Sequence, residues 1–177
     1  YLDGELIGSY SGLPRSSGGI RLWGYNEMEA EIDNFSVAAT SLEELTLFAD
    51  NFDSGAAAGW ANSIAAENQA YPVKTAAGSS TVLNYLPGSF AWSDYTLEAD
   101  VTLFSENSGT ESAARLCFGG LWQSNGEGSG TGNPYELALQ ASGGTMTFRY
   151  RNDEGLPELT GLSGEFDRPY HIKMEFY

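Results

Sequence analysis

The sequence predicts an all-β fold built as a sandwich of two antiparallel sheets, and three observations support this prediction. Apolar and polar residues alternate with a period of two along several segments, as in strands with one buried face. Turn signals such as Asp3-Gly4 and Gly143-Gly144 separate these segments. Apart from a candidate single turn at Leu42–Leu45, no segment has the apolar spacing of an amphipathic helix.

The alternation is clearest in four segments of the chain. Residues 95–103, 145–151 and 170–177 each place apolar side chains on one face and polar side chains on the other. In residues 28–37 the apolar set shifts phase by one at Asn34, which predicts a β-bulge. The core is expected to include Leu97, Val101, Phe148, Ile172 and Met174.

The charge and composition of the chain argue against several classes of function. The formal net charge is −16 over 177 residues, whereas nucleic-acid binding needs clustered Lys and Arg. Anionic membrane surfaces would repel the chain for the same reason. No apolar run is long enough for a membrane span. Cys117 is the only cysteine, so no internal disulfide can form, and its apolar neighbours suggest a small buried side chain.

The segments of residues 45–177 resemble the beginning and centre of a known type of domain. Leu47–Trp60, Tyr71–Val73, Ser93–Val101 and Tyr170–Tyr177 are similar, in this order, to strands of the concanavalin A-like, laminin-G-like jelly-roll family of extracellular bacterial proteins. The resemblance implies a jelly-roll sandwich located outside the cell or at its surface.

The segments of residues 1–40 resemble the end of such a domain. Tyr1–Tyr10, Gly18–Gly24 and Ala30–Val37 are similar to its closing strands, and residues 41–44 form a short linker to the opening strands. The tripeptide Asp-Asn-Phe therefore occurs twice because one copy closes a domain and the other opens one.

Two arrangements are compatible with this permuted order. Residues 1–40 can complete the sandwich of residues 45–177 in the same molecule, as in a circular permutant, or they can complete a neighbouring unit. The strand that runs to Tyr177, and the Asp3-Gly4 turn with only two residues before it, favour the second arrangement, a head-to-tail array or filament. That arrangement predicts that Ile7, Ile20, Leu22 and Ile32 pack against a neighbouring unit.

The sequence lacks a complete set of catalytic carboxylates. Jelly-roll β-glucanases carry three acidic residues on one strand, and Glu31 and Asp33 match the first two. The third position is Phe35 or Ser36, which cannot protonate a leaving group. The lone His171 is expected on a polar strand face, and we predict that the protein is not an enzyme.

Three aspartates form a candidate metal site. If the opening and closing strands pair, Asp33, Asp50 and Asp53 approach one another, and oxygen ligands suit Ca²⁺. The family resemblance also implies a structural Ca²⁺ at this seam. The alternative is that Asp33 and Asp50 cap the bulge by accepting backbone N–H groups.

A second candidate site would bind a glycan or a partner surface. Trp122, Tyr135, Arg149 and Arg151 flank or face the glycine-rich stretch of residues 123–134. Tryptophan and arginine side chains can grip a sugar ring or a protein surface. The alternative is that Trp122 fills the core and that the arginines pair with acidic neighbours.

The leading functional prediction is a non-enzymatic extracellular structural or adhesive repeat. It would assemble head to tail, with copies of itself or adjacent repeats, into a fibre or array. The alternative is a concanavalin A-like carbohydrate-binding module, alone or attached to a glycan-degrading enzyme. A glycan-processing enzyme is the third and weakest hypothesis.

Overall fold

The computed structural model describes residues 1–9, 17–40, 45–53, 59–61, 69–78, 80–105, 111–120, 135–152 and 159–176. Within these ranges the chain forms eleven strands and a short 3₁₀ helix at Ser89–Ala91. The strands are β1 Gly19–Tyr25, β2 Glu29–Ala39, β3 Thr46–Asp50, β4 Tyr71–Lys74, β5 Ser80–Tyr85, β6 Tyr95–Leu103, β7 Ser112–Gly120, β8 Tyr135–Ser142, β9 Thr145–Asn152, β10 Leu159–Gly164 and β11 Tyr170–Phe176.

The strands form two antiparallel sheets, which confirms the predicted all-β sandwich. The six-stranded sheet has the order β10-β9-β8-β7-β1-β5. The five-stranded sheet has the order β11-β6-β2-β3, and β4 also pairs with β2. Neighbouring strands pair through antiparallel ladders in both sheets.

The core lies between the two sheets and is formed by the inward set of each alternating strand. Leu97, Val101, Phe148 and Ile172 are buried there, as predicted. Met174 is only half-buried and packs against the edge of the core, so the prediction was too strong at this position. Burial of one such aliphatic or aromatic side chain stabilises the fold by about 1.5–3 kcal/mol.

Two local predictions of backbone geometry are confirmed. Asn34 has a φ of 47°, and the register between β2 and β6 shifts between Asp33 and Ser36, which is the expected bulge. Gly143 and Gly144 both have positive φ and join β8 to β9. The candidate helical turn at Leu42–Leu45 lies outside the described residues except for Leu45, which directly precedes β3.

Residues 1–40 are integrated into the sandwich of their own chain. β1 lies between β5 and β7, and β2 lies between β6 and β3. Ile20, Leu22 and Ile32 are buried in the common core, so the prediction that they pack against a neighbouring unit is wrong for these three residues. Ile7 is half-buried and is not part of that core. In the single chain described, the permuted segments thus complete one sandwich.

Candidate binding face

The outer face of the six-stranded sheet gathers arginine and aromatic side chains from β1, β7 and β9, with β8 between the last two. Antiparallel pairing aligns Trp23 of β1 with Arg115 of β7, Arg115 with Ala138 of β8, and Ala138 with Arg149 of β9. A second row of residues lies beside this one. It aligns Arg21 with Cys117 and Cys117 with Glu136.

We call this surface the arginine face. It consists of Arg21, Trp23, Tyr25, Arg115, Cys117, Glu136, Ala138 and Arg149. Alternation along each strand directs these side chains away from the core, because residues such as Ile20, Leu22, Leu116 and Leu137 point inward. Cys117 and Ala138 are buried without belonging to the core between the sheets.

The arginines of this face contact both a carboxylate and aromatic rings. Nη1 of Arg115 lies 3.4 Å from Oε2 of Glu136. The guanidinium of Arg21 lies over the ring of Trp23, 4.5 Å from its centroid. The guanidinium of Arg115 lies 5.5 Å from the ring of Tyr25 and 6.0 Å from that of Trp23. These cation–π contacts hold the planar guanidinium groups in fixed orientations.

The charged groups of the arginine face are unusually buried for an outer sheet surface. Arg21 and Glu136 each expose only 4% of their surface, and the Arg115 side chain exposes 17%. Nε of Arg115 is buried and has no hydrogen-bond partner among the described residues. Charges in such a setting interact more strongly than charges in water.

Burial also changes the protonation equilibria on this face. It lowers the pKa of Arg21, an effect that nearby Cys117 and Glu136 oppose. It raises the pKa of the Cys117 thiol to about 12, and the negative charge of Glu136 adds to this effect. The thiol therefore stays protonated at neutral pH and is a poor nucleophile, as the sequence suggested.

The four residues predicted to bind a ligand have different positions. Arg149 lies on the arginine face and is partly exposed. Tyr135 points into the core, where its ring packs against Phe118 and Phe176, so the prediction that it contacts a ligand is wrong. Arg151 pairs with Glu136 along the β8–β9 ladder, but its side chain lies outside the described residues, as does all of Trp122.

Asp33 and Asp50 behave as backbone caps in this structure, whereas Asp53 does not. Oδ1 of Asp33 accepts a hydrogen bond from the Asn34 N–H at 2.7 Å, and Oδ1 of Asp50 accepts one from the Phe52 N–H at 2.9 Å. Asp53 instead contacts the Asn51 side chain, whose Nδ2 donates to its Oδ2 at 2.6 Å. The described residues contain no group of three His, Cys, Asp or Glu side chains able to hold a metal ion. The predicted three-aspartate Ca²⁺ cluster is therefore not assembled in the part of the chain that the structure describes.

The outer face of the five-stranded sheet carries a charged ladder of a different kind. His171 and Lys173 of β11 lie opposite Asp100 and Glu98 of β6. Nδ1 of His171 lies 2.8 Å from Oδ1 of Asp100, and Nζ of Lys173 lies 3.8 Å from Oε1 of Glu98. These four side chains are between 30% and 45% exposed. His171 thus lies on a polar strand face, where the sequence placed it.

Most residues of the arginine face were missed by the sequence analysis. Arg21, Trp23, Arg115 and Glu136 come from strands that are distant in sequence, and only the β1–β7–β8 register brings them together. One signal was present, because Arg21, Trp23 and Tyr25 alternate with apolar residues in "IRLWGY". Tryptophan, tyrosine and arginine are the residue types enriched among binding hot spots.

Fold and surface together define the class of protein as a two-sheet antiparallel β-sandwich with an arginine-rich outer face. No family model, no curated protein and no solved structure matched the chain in our comparisons. The concanavalin A-like assignment therefore stays a prediction from the sequence. Within the described ranges, no helix has the length and apolar character needed to cross a membrane.

Proposed function

We propose that the protein is a non-enzymatic extracellular carbohydrate-binding module and that its ligand lies on the arginine face. The observation that carries this proposal is the convergence of Arg115, Arg149, Trp23 and Tyr25 from three strands, β1, β7 and β9, on one outer sheet surface, where all four are at least partly exposed. Sugar recognition uses aromatic rings for the apolar faces of the sugar and planar polar groups for its hydroxyls.

The rigidity of the sheet supports this role. Trp23 and Arg115 lie on neighbouring strands with continuous antiparallel pairing, so their relative positions are set by the backbone ladder rather than by a loop. The Arg21–Trp23 stack and the Arg115–Glu136 ion pair further restrict side-chain rotamers. A surface ordered before binding loses less conformational entropy when the ligand arrives.

The head-to-tail array that led the sequence predictions has less support. That prediction required residues 1–40 to leave their own chain, whereas β1 and β2 pair with strands of the same chain. A binding role needs no such exchange. We therefore propose the carbohydrate-binding alternative in place of the fibre-forming repeat.

A glycan array with the complete chain tests the proposal. We expect reproducible binding to at least one saccharide, and Trp23→Ala should weaken it about tenfold or more, since a central aromatic contact contributes at least about 1–2 kcal/mol. Trp92→Ala is the matched control, because Trp92 is also half-buried but packs against the core beside the 3₁₀ helix. Absence of any bound saccharide, or equal binding by Trp23→Ala and the unmodified chain, would overturn the proposal.

A further inference from the structure

Positive charge in this acidic protein is concentrated on one sheet. The six strands of the six-stranded sheet contain four arginines and a single acidic residue, Glu136. The strands of the five-stranded sheet contain seven acidic residues and two lysines. The whole chain has only eight Lys and Arg residues against 24 acidic ones. Half of the Lys and Arg residues therefore lie on the strands of the six-stranded sheet, whereas only one of the 24 Asp and Glu residues does.

The described side chains show that these cations converge. Arg21, Arg115 and Arg149 occupy outward positions on the arginine face, on β1, β7 and β9. Arg115 lies near the centre of the face, between Trp23 and Ala138 in the register. Its Nη1 contacts Oε2 of Glu136 at 3.4 Å, and 17% of its side chain stays exposed. A guanidinium presents five donors, so an ion pair through one of them leaves donors for a second acceptor.

We infer that the ligand of the arginine face is an acidic saccharide, whose carboxylate groups are bound by Arg115 and Arg149. This inference rests on the proposed carbohydrate-binding function and specifies its ligand class. Guanidinium groups match carboxylates in a planar, bidentate geometry. The low exposure of Arg115 lowers the effective dielectric constant around its charge, which strengthens its interaction with an anion.

The neighbouring residues have separate parts in this recognition. The rings of Trp23 and Tyr25 lie within 6.0 Å and 5.5 Å of the Arg115 guanidinium and offer apolar surface to a sugar ring. Glu136 and the Arg21–Trp23 stack keep the arginines in place before the ligand arrives.

The charge distribution favours an acidic saccharide over a nucleic acid. A duplex carries one phosphate charge about every 1.7 Å and extends beyond any single face. It would therefore meet the acidic remainder of a chain whose net charge is −16. A short saccharide with carboxylates on some of its rings can confine its charge to the arginine face.

Matched pairs of ligands test the inference directly. Isothermal titration of the complete chain would compare oligogalacturonate, oligoalginate and hyaluronan fragments, each with its carboxyl-reduced counterpart of the same linkage and length. We expect binding of at least one acidic member, with at least a tenfold loss on carboxyl reduction. Arg115→Gln and Arg149→Gln should each lower that affinity about tenfold, and raising the salt concentration should weaken it further. Lys173→Gln on the opposite sheet is the control and should leave affinity unchanged, with melting curves confirming that each variant folds.

The outcomes separate this inference from the proposed function. Equal affinity for an acidic saccharide and its carboxyl-reduced form would overturn the anionic specificity while leaving the carbohydrate-binding proposal intact. Binding of polyglutamate but of no saccharide on the array or in titration would overturn both, since the face would then recognise an acidic peptide. Arg149→Gln also keeps the test decisive if Arg115→Gln fails to fold. Unchanged affinity in a folded variant of either arginine would overturn the assigned contact.

Discussion

The outer faces of the two sheets are built by the same alternation of side chains but hold their charges differently. On the five-stranded sheet, His171 and Lys173 pair with Asp100 and Glu98, and all four side chains are at least 30% exposed. On the six-stranded sheet, the Arg115 and Glu136 side chains are 17% and 6% exposed. Exposed pairs contribute little to stability, whereas buried charges must be held in place by their neighbours.

The charges of the five-stranded sheet are therefore largely solvated, whereas those of the arginine face are mostly removed from water. Removing charges from water costs free energy that the ion pair offsets only in part, so a buried charged cluster is a poor way to stabilise a fold. The chain nevertheless buries Arg21 and Glu136 on an outer face. The Arg21–Trp23 stack and the Arg115–Glu136 ion pair hold these buried charges in place.

The largest losses of stability are expected from substitutions on the inner faces. They should be similar for the two sheets, because both inner faces share one core. Leu97→Ala in β6 and Leu139→Ala in β8 each remove a fully buried side chain. We expect each to lower the free energy of unfolding by about 2–5 kcal/mol, measured by urea denaturation. A loss below about half a kcal/mol in either variant would mean that the assigned inner face is wrong.

Removing one carboxylate from each outer face should lower the free energy of unfolding by different amounts. Glu136→Ala leaves buried guanidinium groups without that carboxylate and should lower the free energy of unfolding by about 3 kcal/mol or more. Glu98→Ala removes an exposed carboxylate near Lys173 and should cost less than about 1 kcal/mol. Similar losses in the two variants, measured in the same denaturant, would contradict the claimed difference between the buried and the exposed charges.

A pH titration of stability should reveal the buried thiol of the arginine face. Burial raises the pKa of Cys117 from 9.0 to about 12, so above pH 9 the unfolded chain loses a proton that the native chain keeps. The free energy of unfolding should therefore fall as pH rises from 9 towards 12. Tyr71, whose pKa burial raises from 10.0 to about 12, contributes in the same direction.

Cys117→Ala should make this alkaline decline shallower without abolishing it, because the contribution of Tyr71 remains. Denaturation midpoints collected between pH 8 and pH 12 measure both slopes. Identical slopes in the variant and the unmodified chain would show that the thiol is not shielded on the arginine face.

The smallest effect concerns the aspartates at the edge of the five-stranded sheet. Asp50→Ala removes the hydrogen bond from the Phe52 N–H and should cost about 1 kcal/mol. Since Asp33 and Asp50 act as caps, a chelator should leave the melting temperature unchanged in both the unmodified protein and the Asp50→Ala variant. A melting temperature that falls with the chelator, and no longer does so in Asp50→Ala, would instead support the predicted Ca²⁺ site.

The sequence predicted the fold well because alternation and turns are local properties. The strand at Tyr95–Leu103, the bulge at Asn34 and the Gly143-Gly144 turn each follow from a few adjacent residues. The candidate site was predicted much less completely. Arg149 was placed outward correctly, whereas Tyr135 was assigned to a ligand although its inward position in β8 buries it in the core.

The remaining residues of the site could not be predicted, because strand order and register are properties of the assembled sheet. Arg21 and Glu136 lie on the same face, on either side of Cys117, only because β7 pairs with both β1 and β8 in this register. The position of residues 1–40 was missed for a similar reason. The permuted motif order was compatible with two arrangements, and only the packing of Ile20, Leu22 and Ile32 distinguishes them.

The central position of β1 and β2 has a consequence for how the chain folds during synthesis. Both strands are made before the other described strands, yet β1 pairs with β5 and β7, and β2 with β6. Neither sheet can close until strands from much later in the chain have emerged, and such long-range pairing is intrinsically slow. Meanwhile the nascent chain exposes the edges of two strands rich in apolar residues, which is when a β protein is most prone to aggregate. β1 therefore lacks β5 and β7, and β2 lacks β6, until those later strands have been made.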